Sequence, residues 1–195
     1  MISLGSLFQL PLTVKRQLVA ITANKCDDGV PSEEYITRFR NVARLYDDPL
    51  SLQRLWNSEC LVIGLGGVGM RNFCNTDLKY NALNTIGSWT VEALARSGIR
   101  GFTLVDMDDI CISNINRQIQ CLTSTVGKFK ADVLKERILE INPDAKVTTM
   151  LTFVRPDNVD EIIFKNGTDQ PFYDFVIDAA DGVSDKAVSF MFFKL

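Results

Sequence analysis

The sequence predicts a doubly wound α/β fold built on a mainly parallel sheet, and three observations carry that expectation. A short apolar run, residues 60–63, feeds straight into a glycine turn, Gly64-Leu65-Gly66-Gly67-Val68-Gly69. Beyond it, short apolar runs alternate with segments whose apolar residues recur at helical spacing. Acidic residues, Asp106 and Asp181, close two of the apolar runs, at the strand ends where such folds bind ligands.

Each element is set by local pattern. Residues 32–55 read as helical, with Phe39, Val42, Ala43, Leu45 and Tyr46 on an amphipathic segment interrupted at Pro49. Residues 60–63 form the first strand, and residues 88–96 a helix ended by Gly98. Residues 102–106 form the second strand. Residues 128–141 carry Val133, Leu134, Ile138 and Ile141 at helical spacing and stop at Asn142-Pro143. Residues 147–154 are rich in β-formers, residues 156–164 make a short helix with Pro156 in its first turn, and residues 175–179 form a last strand. The order is β-α-β-α-β-α-β.

Bulk properties exclude several classes. The 195 residues are 46% hydrophobic and 23% charged, as in a globular domain with one good core. No apolar run approaches the roughly 20 residues of a membrane-spanning helix. A net charge of −3 gives no overall nucleic-acid signature, so RNA binding would need a local basic patch. The five cysteines include no C-x-x-C pair, which argues against a zinc ribbon and a disulfide framework and favours a reducing compartment. There is no histidine, so any chemistry must use carboxylates, lysine, arginine, backbone amides or a bound metal.

Residues 1–31 read as an arm preceding a domain at 32–195. The first 25 residues hold Lys15, Arg16 and Lys25, several hydroxyl residues and no acid. That is the composition of an organellar transit peptide, so a mitochondrial destination is expected, with plastid or cytoplasm as alternatives. The other reading is a disordered or partly docked N-terminus.

The glycine turn alone is a weak signal for a phosphate site, and Asp106 is the acid that would bond a ribose hydroxyl. An NAD-dependent dehydrogenase would show the same pair. Two further blocks separate the possibilities: LVDMDDICISNINRQ at 104–118 and VGKFK at 126–130. Hydride transfer needs no pair of phosphate-neutralising cations, whereas attack on the α-phosphate of ATP does. Arg117 and Lys130 would supply the positive charge, and Asp181 would hold Mg²⁺.

At these blocks the sequence resembles the ThiF-type adenylate-forming enzymes related to ubiquitin-activating enzymes. The resemblance is nearest to the tRNA threonylcarbamoyladenosine dehydratases. It runs from about Arg38 to Lys186, through RFRNVARLY, LVIGLGGVG, SWTVEALARSGI, FTLVDMDDICISNINRQI, VGKFKADVLKERILEINP, FVRPDNV and VIDAADGVSDKA. It implies a nucleotide site at Gly64, Gly66, Gly67, Gly69, Asp106, Asp108, Asn114, Arg117, Gln118 and Lys130. It implies Mg²⁺ on Asp181, and an arginine, Arg44 in preference to Arg40, reaching into the partner subunit of a homodimer.

The implied reaction spends ATP on the carboxylate of threonylcarbamoyladenosine beside a tRNA anticodon, and ring closure then proceeds with net loss of water. Alternatives are an adenylyltransferase whose partner is a ubiquitin-like sulfur-carrier protein, and a non-catalytic NAD- or nucleotide-binding module.

Two departures from that family stand out. Its glycine turn runs directly into SWxxEALARSG, whereas residues 70–87 intervene here. Removing them shortens the Gly69-to-Asp106 spacing from 37 to 19, near the roughly 20 of the fingerprint. The segment is rich in residues with AT-rich codons, and a GT in the Gly69 codon with an AG across Ile86-Gly87 would excise it in frame. Retained intron sequence is the favoured reading, a tolerated surface loop the other. The chain also stops at Leu195, soon after Asp181, and is expected to be truncated relative to the family, with weak ATP binding and little turnover as written.

Overall fold

The computed structural model describes residues 29–46, 48, 50–66, 86–164 and 172–180. All the secondary structure among them lies in one unit, Pro31–Leu195. It runs in the order α1 (Glu33–Ala43), α2 (Ser51–Trp56), β1 (Glu59–Ile63), α3 (Ile86–Arg96), β2 (Gly101–Val105), α4 (Lys130–Ile141), β3 (Lys146–Met150), α5 (Val159–Ile163) and β4 (Phe175–Asp178). Two single 3₁₀ turns, Ile112–Asn114 and Thr123–Thr125, sit between β2 and α4.

The four strands form one parallel sheet in the order β3-β2-β1-β4. The chain winds outward from β1 through β2 to β3, then crosses to place β4 on the other side of β1. The strand order therefore reverses between β1 and β4, and the carboxyl ends of these strands frame a crevice. This is the doubly wound α/β architecture expected from the pattern.

Alternation along the strands assigns the two faces. Cys60 and Val62 of β1 with Phe102 and Leu104 of β2 pack against Val91 and Ala95 of α3 and Ala131, Leu134 and Ile138 of α4. Leu61 and Ile63 with Val105 face the opposite way, onto Val159, Ile162 and Ile163 of α5 and onto Val154 and Tyr173. A strand buried on both faces reads as an unbroken apolar run, which is why residues 60–63 were legible as a strand. The side-chain period of two is what separates the run into two cores.

Boundaries shift where tertiary contacts intervene. Helix α4 begins at Lys130 and not 128, because the preceding residues bond elsewhere. The Ile110 N–H donates to Lys128 O at 2.8 Å and the Gly127 N–H to Ile110 O at 2.9 Å. Strand β3 stops at Met150, short of 154, because its last partner is Val105 at the end of β2. Helix α5 starts at Val159 and not 156. Asn158 first closes a loop, its Oδ1 accepting from Arg155 N at 2.7 Å and its Nδ2 donating to Phe153 O at 2.9 Å. Helix α3 gains Ile86 and Gly87 at its start, and ends as expected at Gly98, whose φ of +94° suits glycine.

The segment expected to be helical over 32–55 is two helices. Ser32 caps α1, its Oγ accepting from Tyr35 N at 3.0 Å, and the buried Tyr35 hydroxyl donates to Gly98 O at 2.5 Å. Tyr35, Phe39 and Trp56 form a small cluster of their own that joins α1 to α2.

Helices α3 and α4 are joined by charge as well as packing. The buried Glu92 carboxylate accepts from Arg137 Nε at 2.5 Å and from Arg96 Nε at 2.7 Å. Burial raises the Glu92 pKa, but the hydrogen bonds and charges of Arg137 and Arg96 outweigh it and hold the carboxyl below its usual range. A folded pKa below the unfolded value means that the stabilisation is present above the unfolded carboxylate range and is lost as pH falls through the folded value. Glu92→Gln should therefore cost about 2 kcal/mol at neutral pH, allowing for the partly exposed arginines. Urea unfolding at pH 7 and again well below the usual carboxylate pKa of 4.5 checks it. A wild-type advantage that persists undiminished in acid would contradict the assignment.

Among the described residues no helix is long and apolar enough to cross a membrane. Cys60, Cys111 and Cys121 are free thiols.

Candidate functional site

The crevice at the strand ends holds a cavity of about 280 Å³, floored by Ile63 at the end of β1, by Gly64 and Gly66 after it, and by Val105 and Asp106 at the end of β2. Ala179 and Ala180, following β4, close one side, and Thr152, Phe153 and Val154, following β3, line another. A wider groove of about 440 Å³ lies among α1, α3 and α4. Its three arginines, Arg38, Arg96 and Arg137, are already paired with Glu34 and Glu92. The crevice is the better candidate, because its polar groups converge on open space.

The glycine turn owes its shape to close approach. Gly64 has φ +82°, and a Cβ there would lie 2.8 Å from backbone atoms of Ala179 and Ala180. Gly66 is different: a Cβ would meet Gln118 Nε2 at 3.5 Å and Lys130 Nζ at 3.7 Å. The bare Gly66 backbone thus sits beside two side-chain donors, a setting suited to an anion.

Helix α3 begins directly behind this turn. A Cβ on Gly87 would overlap Gly64 O and lie 3.2 Å from Leu65 Cα. Gly87 and Ser88 are buried, so the helix start and the first half of the turn are in contact. Removal of residues 70–87 would put Gly69 next to Ser88, in the sequence place that Gly87 holds here.

Asp106 does more than wait for a ribose. Its Oδ2 accepts from Leu65 N at 2.6 Å and its Oδ1 from Asp108 N at 2.8 Å, so it fastens the glycine turn to the segment after β2. Burial pushes its carboxyl above the usual range, and the Leu65 N–H, the Lys130 charge and the Asp108 N–H offset that only in part. Lys130, the first residue of α4, is buried, and its Nζ donates to Asp108 Oδ2 at 2.6 Å. Its own N–H donates to Asp108 O at 3.1 Å, which fixes where the side chain starts.

Arg117 also lines the cavity, its Nη1 donating to Ser113 O at 2.7 Å and to Asn116 Oδ1 at 3.1 Å. Asn114 is buried and caps the 3₁₀ turn, its Oδ1 accepting from Cys111 N at 3.0 Å. Gln118 is buried beside it.

Of the residues expected in a nucleotide site, Gly64, Gly66, Asp106, Asp108, Asn114, Arg117, Gln118 and Lys130 share this one cavity. Gly67, Gly69 and the expected metal ligand Asp181 lie outside the described residues, as does the segment 70–85. Among the described residues no group of three His, Cys, Asp or Glu side chains is placed to hold a metal. Arg44 is not in the cavity: it caps the end of α1, exposed, with Nη1 donating to Asn41 Oδ1 at 3.3 Å. Sequence reading passed over Phe153 and Val154, although FVRPDNV follows a strand and such positions open onto the crevice. It also passed over the buried Gln120, whose Nε2 donates to Leu65 O at 2.9 Å.

The geometry stands beside similarity to known proteins. A tRNA threonylcarbamoyladenosine dehydratase of Haemophilus influenzae is 43% identical over 80% of this chain and 50% of its own. The structure of Escherichia coli tRNA N6-threonylcarbamoyladenosine dehydratase in complex with ATP matches with a TM-score of 0.67 at 41% identity, over 82% of this chain and 56% of that one. Its complex with AMP matches with a TM-score of 0.70 at 40% identity, over 85% and 57%. The chain spans about half the length of the curated relatives it matches.

These relatives correct the organellar expectation. The dehydratases matched at 37–43% identity come from Haemophilus influenzae, Escherichia coli and Bacillus subtilis, bacteria without organelles, which points away from a mitochondrial protein. An acid-poor arm is a compositional signal only, and short basic N-termini arise without any import machinery.

The cavity floored by a glycine turn and edged by Arg117 and the Lys130–Asp108 pair accompanies a match of residues 83–188, more than half of the chain, to the ThiF family, and the chain belongs to that family.

Proposed function

We propose that this chain is the nucleotide-binding half of an ATP-dependent tRNA threonylcarbamoyladenosine dehydratase. The observation that supports it most is the placing of Lys130 and the Gln118 amide beside the bare backbone at Gly66, with Arg117 lining the same cavity and Asp106 on its floor. Hydride transfer from a dinucleotide does not call for that concentration of positive charge, and activation of a carboxylate at the α-phosphate does. The ATP and AMP complexes of the similar Escherichia coli enzyme support the same choice.

The residues divide the work by position. Asp106, with lone pairs left beyond its two backbone bonds, bonds the ribose. Lys130 and Arg117 lie over the phosphates and stabilise the charge that develops as a threonyl carboxylate oxygen bonds to the α-phosphorus and pyrophosphate departs. The carbamoyl group then attacks the activated carbonyl and AMP leaves, so the nucleoside loses the elements of water. Mg²⁺, held by Asp181, would neutralise the departing pyrophosphate. The assembly is a homodimer in which the exposed Arg44, free of its own chain's cavity, reaches the partner's nucleotide.

Titration with ATP·Mg²⁺ and separately with NAD tests the reading. ATP should bind and NAD should not, and tight NAD binding without ATP binding would end it. Incubation of a full-length, spliced version with tRNA carrying threonylcarbamoyladenosine, followed by mass spectrometry of the nucleosides, should show loss of one water. Adenylation of a carrier protein ending in Gly-Gly, with the tRNA unchanged, would move the chain to the sulfur-carrier branch.

A further inference from the structure

Behind the cavity, three consecutive polar decisions fix which end of one amide faces the nucleotide. Gln120 is 1% exposed, and its Nε2 lies 2.9 Å from Leu65 O and 3.4 Å from Gln118 Oε1. A backbone carbonyl only accepts, so the end of Gln120 that meets Leu65 must be its NH₂. The same NH₂ lies against Gln118, and the atom it meets there must be the oxygen. Cys121 makes the same demand, its Sγ–H donating to Gln118 Oε1 at 3.2 Å. Burial pushes that thiol up, against the charges of Lys130 and Arg117, which keeps it protonated and able to donate. With its oxygen held by two donors, Gln118 has only its NH₂ left to turn toward Gly66 and the open cavity.

We propose that Gln120 and Cys121 are positioning residues that orient the Gln118 amide so that its NH₂, not its oxygen, faces the phosphates of a nucleotide seated on the glycine turn. The inference rests on the adenylation reading above. A reversed amide would set a carbonyl oxygen against phosphate oxygens and turn a donor into a repulsive contact. The main chain of the loop that carries Gln118 does not depend on either side chain, although the Gln120 amide also holds Leu65 O of the glycine turn, which makes Cys121 the cleaner site for the test. Gln118 N–H donates to Asn114 O at 3.0 Å, Cys121 N–H to Gln118 O at 3.1 Å, and Thr125 Oγ1 to Gln120 O at 2.8 Å. Removing the Cys121 thiol therefore frees the Gln118 amide to rotate while the loop stays in place, and removing the Gln120 amide does so while also releasing Leu65 O.

The test compares ATP with adenosine, which lacks phosphates, by calorimetric titration of the purified chain and its variants. Gln120→Leu combined with Cys121→Ala should weaken ATP about tenfold and leave adenosine within about twofold of wild type. Cys121→Ala alone should weaken ATP by about threefold, and Cys121→Ser, which restores a donor, should regain the wild-type affinity. If the double variant does not fold, the Ala–Ser pair at Cys121 decides. Equal losses for ATP and adenosine, or no loss for ATP in Cys121→Ala, overturn the positioning role alone. A wild-type chain that binds no ATP overturns the adenylation reading, and this inference with it.

Discussion

Gly87→Ala is expected to lower stability by about 3 kcal/mol, since its methyl group would meet backbone and cannot be accommodated by a rotamer change. The added Cβ would overlap Gly64 O and lie 3.1 Å from Gly64 C and 3.2 Å from Leu65 Cα. The start of α3 would have to withdraw from the turn, loosening the packing of Val91 and Ala95 on β1 and β2. For a chain of this size that corresponds to a fall of roughly 6–12 °C in Tm. ATP affinity should fall with it, because the helix N-terminus no longer stands behind the phosphates. Gly127→Ala is the control. Gly127 also carries a positive φ, +84°, but a Cβ there meets nothing within 4 Å, so only backbone strain of about 1 kcal/mol is expected. Thermal unfolding with ATP titration measures both. Equal effects at the two glycines would show that α3 does not depend on the close approach at Gly87.

Lys130→Met should weaken ATP on the order of a hundredfold while changing stability little, a split that separates a ligand-binding lysine from a structural one. The reason lies in its partners. Lys130 is buried, but its ion-pair partner Asp108 is 57% exposed and can return to water when the lysine is gone. Methionine replaces most of the aliphatic stem, so the packing at the start of α4 is kept. The lost charge matters to the ligand and to Asp106. Lys130 is among the groups that draw the Asp106 carboxyl down against burial, so its removal should raise that pKa further. ATP binding by the variant should then fall off at higher pH than in wild type as pH is lowered, because Asp106 protonates sooner. A drop in Tm matching the loss of affinity, with no shift in the pH profile, would assign Lys130 to the fold instead.

Much of this was legible from residues alone, and the reasons are local. An apolar run such as 60–63 has few fates other than a strand buried on both faces. Asn142-Pro143 and Gly98 end helices through properties of their own backbones. Asp106, Arg117 and Lys130 were recognisable because each falls at a strand end, a loop or a helix start that the doubly wound order brings to one edge of the sheet. The same logic failed for the arm, where composition suggested a destination that the bacterial relatives contradict. It also missed Phe153, Val154 and Gln120, which carry no special residue type and matter only through what lies opposite them.

The sequence by itself determined the alternation of strands and helices, the parallel sheet and the cations and carboxylates at its carboxyl edge, because these arise from periodicity and from the chemistry of single residues. Only the tertiary structure decided that Asp106 clamps Leu65, that Gly87 is the glycine α3 sets against the turn, and that Gln120 and Cys121 dictate the face Gln118 shows the cavity. Each of these is a contact between chain segments whose meeting is set by the packing of the whole sheet, and whose sign turns on a few tenths of an ångström and on which atom donates.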